Sequence, residues 1–119
     1  MRWVRKNKDG GKMLGKIVTV TVDRPMGTYH PEHADLYYQI NYGYIKGTMA
    51  ADGEEIDAYI LGVDKPQKEF TGRVIAIIHR LNDVEDKLVV APEGDTFTKE
   101  QIIALTSFQE QYFEIEVEF

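Results

Sequence analysis

Cysteine is absent from this 119-residue chain. That absence excludes structural disulfides, thiolate zinc sites and a cysteine nucleophile together, and it removes the usual sign of secretion, so the cytoplasm is the expected location. The sequence also lacks an apolar run long enough for a signal peptide or a membrane span, although it opens on a basic stretch that includes KNKDGGK, Lys6 to Lys12. Neither a targeting segment nor a membrane partner is expected. G-x-S-x-G, P-loop and Rossmann patterns are missing as well, which leaves serine hydrolase, NTPase and dinucleotide readings without support.

Positive charge is scarce beyond the first residues. The formal total is −6, but Met1 to Lys16 carries six of the 14 basic residues and only one of the 20 acidic ones. The body from Ile17 onward is therefore strongly acidic. Such a surface repels a phosphate backbone, so nucleic acid is not an expected partner; divalent cations suit it, and so does plain solubility. What remains, 43% apolar and 29% charged residues, describes one globular domain with a real core. The expected division is a basic segment over 1–15 and a single folded domain over 16–119.

Periodicity predicts a mainly β chain. Val18, Val20 and Val22 alternate with Thr19 and Thr21, the two-residue period of a half-buried strand that Asp23-Arg24-Pro25 should stop. Met26 to Asp35 has no consistent period and reads as a loop carrying His30, Glu32 and His33. Leu36 to Ile40 reads as extended, and Asn41 to Thr48 as a glycine-punctuated strand with a bend or bulge. Ile56 to Val63 is an apolar strand interrupted by Asp57. Arg73 to Arg80 is β-branched enough for the centre of a sheet, and it forms a hairpin with Lys87 to Ala91 across an acidic turn. Thr98 with Gln101 is a capping-box pattern, and Ile102, Leu105, Phe108, Gln109 and Tyr112 give one amphipathic helix of roughly four turns. Ile115, Val117 and Phe119 alternate with glutamates, as in a terminal strand or a tail that pairs with a neighbour. Five or six strands followed by one helix make a small closed or nearly closed barrel with the helix on its side.

Two groups of acids flank these strands. Asp52-Gly53-Glu54-Glu55-Ile56-Asp57 ends with a carboxylate inside an apolar strand, where an uncompensated charge would cost several kcal/mol. Asp83, Glu85 and Asp86 sit at the tip of the hairpin, with Lys87 immediately after. Each group alone also reads as an ordinary turn or a solvated tip. Together, each at a strand end, they point to hard divalent ions, which take oxygen ligands and keep waters when a protein offers only one or two carboxylates per ion. An EF-hand is excluded by the spacing.

In these same segments the chain resembles the soluble family I inorganic pyrophosphatases. The family shows an N-Y-G-Y/F segment, a D-G-D-P-hydrophobic-D signature and a D…D-D-K…V-P hairpin, in the order of Asn41 to Ile45, Asp52 to Ala58 and Asn82 to Pro92 here. A weaker echo of its F-F-x-H-Y-K helix lies in Phe108 to Phe113. The resemblance implies a five-stranded OB-like closed barrel with one C-terminal helix, a cavity holding several Mg2+ ions, and hydrolysis of pyrophosphate to two phosphates. It places Asp52, Asp57, Asp83 and Asp86 as metal ligands, Glu54 where the family has the aspartate that helps deprotonate the attacking water, and Lys87, Tyr42 and Tyr112 on phosphate-contacting positions. Family members are typically longer. A hairpin carrying a phosphate-binding lysine and arginine has no counterpart, and Arg24 and His30 are the nearest replacements. A homo-oligomer, trimer-based in the family, is expected. Two other readings stand beside this one: hydrolysis of another small phosphoanhydride or phosphate ester, and a non-catalytic metal- or phosphate-binding module.

Overall fold

The structure, a computed structural model, describes residues 13–50 and 53–119; most of the basic segment expected over 1–15, and the metal ligand expected at Asp52, lie outside the described residues. The described elements are β1 (Ile17–Arg24), β2 (Tyr29–His30), β3 (His33–Tyr37), β4 (Asn41–Ile45), β5 (Ile56–Ile60), β6 (Glu69–Arg80), β7 (Asp86–Ala91), α1 (Lys99–Glu110) and β8 (Ile115–Glu118). Strands β1, β4, β5, β7 and β6 pair in that order, and β6 pairs back to β1. That last pairing closes a five-stranded barrel, so the expected OB-like fold is the fold observed.

Alternation assigns the two faces. Val18 and Val20 of β1, Ile56, Ala58 and Ile60 of β5, and Leu88 and Val90 of β7 pack with Val74 and Ile77 into one buried cluster, the barrel interior. The residues between them face outward: Tyr59 and Val89, with Tyr42, Ile78 and Tyr38, form a second buried cluster with Ile102 and Phe108 of α1. One face of the helix thus covers one side of the barrel.

Twelve-residue β6 is the longest strand. Its first half pairs with β1, its second half with β8, and β7 lies along its other edge. The alternating C-terminal residues therefore form a strand within the chain: Ile78 pairs with Val117 and Arg80 with Ile115. Gly43 belongs to β4 for a steric reason, since a Cβ there would stand 1.9 Å from the Thr21 carbonyl oxygen. The irregularity expected in β4 falls instead on its partner β1, between Val22 and Arg24.

Two segments differ from their sequence reading. The stretch around His30 is not a plain loop but a small hairpin, with His30 paired to His33 across Pro31-Glu32 and the Tyr29 and Tyr37 rings packed edge to face at 5.1 Å. A proline presets the turn backbone, and the ring pair adds contact that no period reveals. Helix α1 has the full reciprocal capping box of Thr98 and Gln101 but ends at Glu110, so Tyr112 stands beyond it, 68% exposed. Its buried face carries Thr106 and Glu110 beside Ile102 and Phe108. Among the described residues no helix is long and apolar enough to cross a membrane.

Candidate active site

The parallel pairing of β5 with β7 builds the site. Ala58 stands opposite Leu88, so the preceding residues, Asp57 and Lys87, lie side by side on the outer face. Lys87 is 3% exposed. Its Nζ donates to Asp57 Oδ2 at 2.6 Å and to Glu85 Oε1 at 3.0 Å. The Tyr42 hydroxyl of adjacent β4 donates to the same Asp57 oxygen at 2.9 Å. The compensation that an acid in an apolar strand demands is thus an ammonium and a phenol, with Asp57 itself still 30% exposed at its side chain. Burial, and then the Asp57 carboxylate, hold the Tyr42 hydroxyl well above its ordinary pKa, so it stays a donor at neutral pH.

Beside this trio opens a cavity of about 490 Å³, whose lining includes Lys87, Tyr42, Arg80, His30, Tyr112 and Phe113. Arg80, at the end of β6, is fixed there by a buried network. Its Nε and Nη2 donate to Glu110 Oε1 and Oε2 at 3.0 and 2.7 Å, and its guanidinium lies 3.7 Å from the centre of the Phe113 ring. The Tyr59 hydroxyl donates to Glu110 Oε2 at 2.6 Å and accepts from Gln109 Nε2 at 2.7 Å, while Tyr38 donates to Gln109 Oε1 at 2.8 Å. Burial alone would lower the guanidinium pKa, but the hydrogen bonds and charge of Glu110 outweigh it and the net shift is upward. Burial followed by the Glu110 charge raises the Tyr59 pKa well above its ordinary value. The helix end and the barrel wall are therefore joined by a charged, fully bonded seam next to the cavity.

Residues 16–119 match the sequence profile of the inorganic pyrophosphatases. The chain belongs to that family. Membership makes it an inorganic diphosphatase. No curated protein matches the chain. Solved pyrophosphatases share the fold at low identity. One from Ehrlichia chaffeensis superimposes with a TM-score of 0.67 at 19% identity, covering 94% of this chain and 91% of that one. One from Neisseria gonorrhoeae gives 0.64 at 22% identity over 91% and 80%, and one from Thermus thermophilus 0.57 at 16% over 87% and 80%.

Within this pyrophosphatase barrel, the residues expected at the site divide. Asp57, Lys87 and Tyr42 come together in direct contact, and Tyr112 and His30 line the adjoining cavity. Burial, with the Arg24 charge behind it, lowers the His30 pKa, which favours the neutral ring. Asp83 lies at the hairpin tip, its Oδ1 accepting from the Val84 amide at 2.6 Å and its Oδ2 3.5 Å from Arg80. Glu54 is exposed in the turn before β5. Arg24 sits at the end of β1 against Asp23. Asp86 points the other way from Lys87: its Oδ1 meets His79 Nδ1 at 2.9 Å, and His79 Nε2 meets Glu118 Oε1 at 2.6 Å. Strand alternation is the physical reason, since neighbours in sequence face opposite sides.

The same alternation identifies Glu85, two residues before Lys87, as the hairpin carboxylate on the Asp57 face; the period was there to be read. Arg80 and Glu110 had no such signal, because their meeting depends on how the helix end docks. Among the described residues no three His, Cys, Asp or Glu side chains gather to hold a metal ion. Asp57 and Glu85 nevertheless hold one cation, the Lys87 ammonium, between them. Two carboxylates are also the donor set that magnesium accepts when it keeps most of its waters. The residues present fit one such ion.

Proposed function

We propose that this chain hydrolyses inorganic pyrophosphate with magnesium, at the outer face shared by β5 and β7. The observation that carries the reading is the Lys87 ammonium held between Asp57 and Glu85 on the wall of a cavity that Arg80 also lines. Pyrophosphate resists water because its charges repel a nucleophile and its leaving phosphate must accept more negative charge. Asp57 and Glu85 would hold the ion, with Asp83 of the hairpin tip and Asp52, which lies outside the described residues, as further candidate ligands. When bound, magnesium supplies charge neutralisation at the phosphoryl oxygens and makes water more acidic.

The chain's own groups do the rest. Lys87 and Arg80 bring positive charge to the anion; Arg80, held by Glu110, needs no reorganisation as charge shifts to the leaving group, and Lys87 is released toward the substrate when Asp57 and Glu85 take the ion. Tyr42 holds Asp57 Oδ2 and so fixes which way that carboxylate faces. Tyr112 and His30 contact the substrate from the cavity wall, and Glu54, three residues before Asp57, accepts the proton of the attacking water. Arg24 is the further substrate contact carried by this reading. The proposed setting is cytoplasmic, and the proposed assembly a homo-oligomer.

Phosphate release from pyrophosphate, measured against magnesium concentration, tests this. Turnover should require the ion, and Asp57→Asn should lower kcat/KM by about a hundredfold or more while circular dichroism stays unchanged. Magnesium-dependent binding without turnover would instead favour a binding module, and an unaltered rate in Asp57→Asn would place the chemistry elsewhere.

A further inference from the structure

The cavity is large for pyrophosphate and carries apolar surface that pyrophosphate cannot use. Its volume of about 490 Å³ lies in the range of about 300–1,000 Å³ typical of sites for drug-sized organic ligands. Besides the cations Lys87 and Arg80, its walls present Phe113, Tyr112, His33 and Leu36. A fully ionised diphosphate gains nothing from Phe113, Leu36 or the faces of the other rings, because phosphoryl oxygens set against carbon lose water without gaining a bond. A flat, apolar group attached to the diphosphate would gain. Tyr112 is 68% exposed, so its ring is open to a partner. Phe113 is held flat under the Arg80 guanidinium, and the ring of His33 lies 4.6 Å from that of His30. Rings beside anchored cations are the arrangement that stacks a nucleobase while gripping its phosphates.

We propose that the substrate class of this site includes nucleoside diphosphates, with the diphosphate on Lys87 and Arg80 and the base among Tyr112, His33 and Leu36. This rests on the hydrolytic reading given above. Water oxygen bonds to the terminal phosphorus, and the bond from that phosphorus to the bridging oxygen breaks. The bonding pair leaves with the bridging oxygen on the nucleoside monophosphate. Inorganic phosphate is the second product, and the proton lost by water passes through a carboxylate to solvent.

The test compares ADP with methyl diphosphate, which has the same anhydride and no base, using the full chain and magnesium. Calorimetry should show ADP binding at least about tenfold more tightly, and phosphate should be released from it. His33→Ala and Tyr112→Ala should each reduce the ratio of ADP to methyl diphosphate affinity at least about fivefold. Equal binding of the two compounds overturns the proposal even if pyrophosphate is hydrolysed. Preferential binding of ADP without phosphate release from it overturns ADP as a substrate. Failure to hydrolyse pyrophosphate, with the preference for ADP and its cleavage intact, counts instead against the pyrophosphate reading.

Discussion

Glu110 is 2% exposed and faces Arg80, which is 5% exposed. Neither charge is sustainable alone at such burial. Removing one partner of a buried pair typically costs about 3–5 kcal/mol, because the other is left uncompensated, whereas replacing both with apolar groups is often neutral. Glu110→Ala should therefore destabilise the fold by about 3–5 kcal/mol in urea denaturation, and Glu110→Leu combined with Arg80→Met should recover most of that loss. The phenols beside these charges give a pH signature. Tyr42 and Tyr59 have raised pKa values in the fold, so the folded state keeps their protons when the unfolded chain releases them. Their stabilisation is full below the unfolded value of about 10 and is lost as pH rises beyond it toward the raised folded values. Denaturation midpoints should fall between about pH 9 and pH 11, and less steeply in Tyr59→Phe.

At the scale of elements, closeness of strands rests on Gly43. With a Cβ only 1.9 Å from the Thr21 carbonyl oxygen, Gly43→Ala must part β4 from β1, the strands that carry Tyr42 and Arg24. Its thermal midpoint should fall by several degrees, and Tyr42 should lose its hold on Asp57. Thr98→Ala removes the helix cap, with Oγ1 3.1 Å from the Gln101 amide, and should cost about 1 kcal/mol. Such a cap is readable from sequence because it is local. The β1 alternation, the apolar β6 run, the acidic hairpin turn and the C-terminal strand were legible for the same reason. Helix length was not: Thr106 and Glu110 replace apolar residues on the buried face, and the Glu110 partner lies 30 residues away on β6. The β2–β3 hairpin was hidden because aromatic pairing, not period, stabilises it.

For the whole molecule, closure of the barrel determines which acids can act together. The parallel β5–β7 register brings Asp57 to Lys87 and Glu85 from 30 and 28 positions away in sequence, whereas Asp86 is turned to His79 and the β8 strand. Sequence spacing located the acidic turns but not the side of the sheet each acid faces, which only pairing and pleat decide. Catalysis is proposed to occupy the Asp57, Glu85 and Lys87 face. The deciding measurement is kcat/KM for magnesium-dependent pyrophosphate hydrolysis in Glu85→Gln and Asp86→Asn, both verified as folded. The prediction is a loss of about thirtyfold or more in Glu85→Gln and a change within about threefold in Asp86→Asn; the reverse order would contradict it.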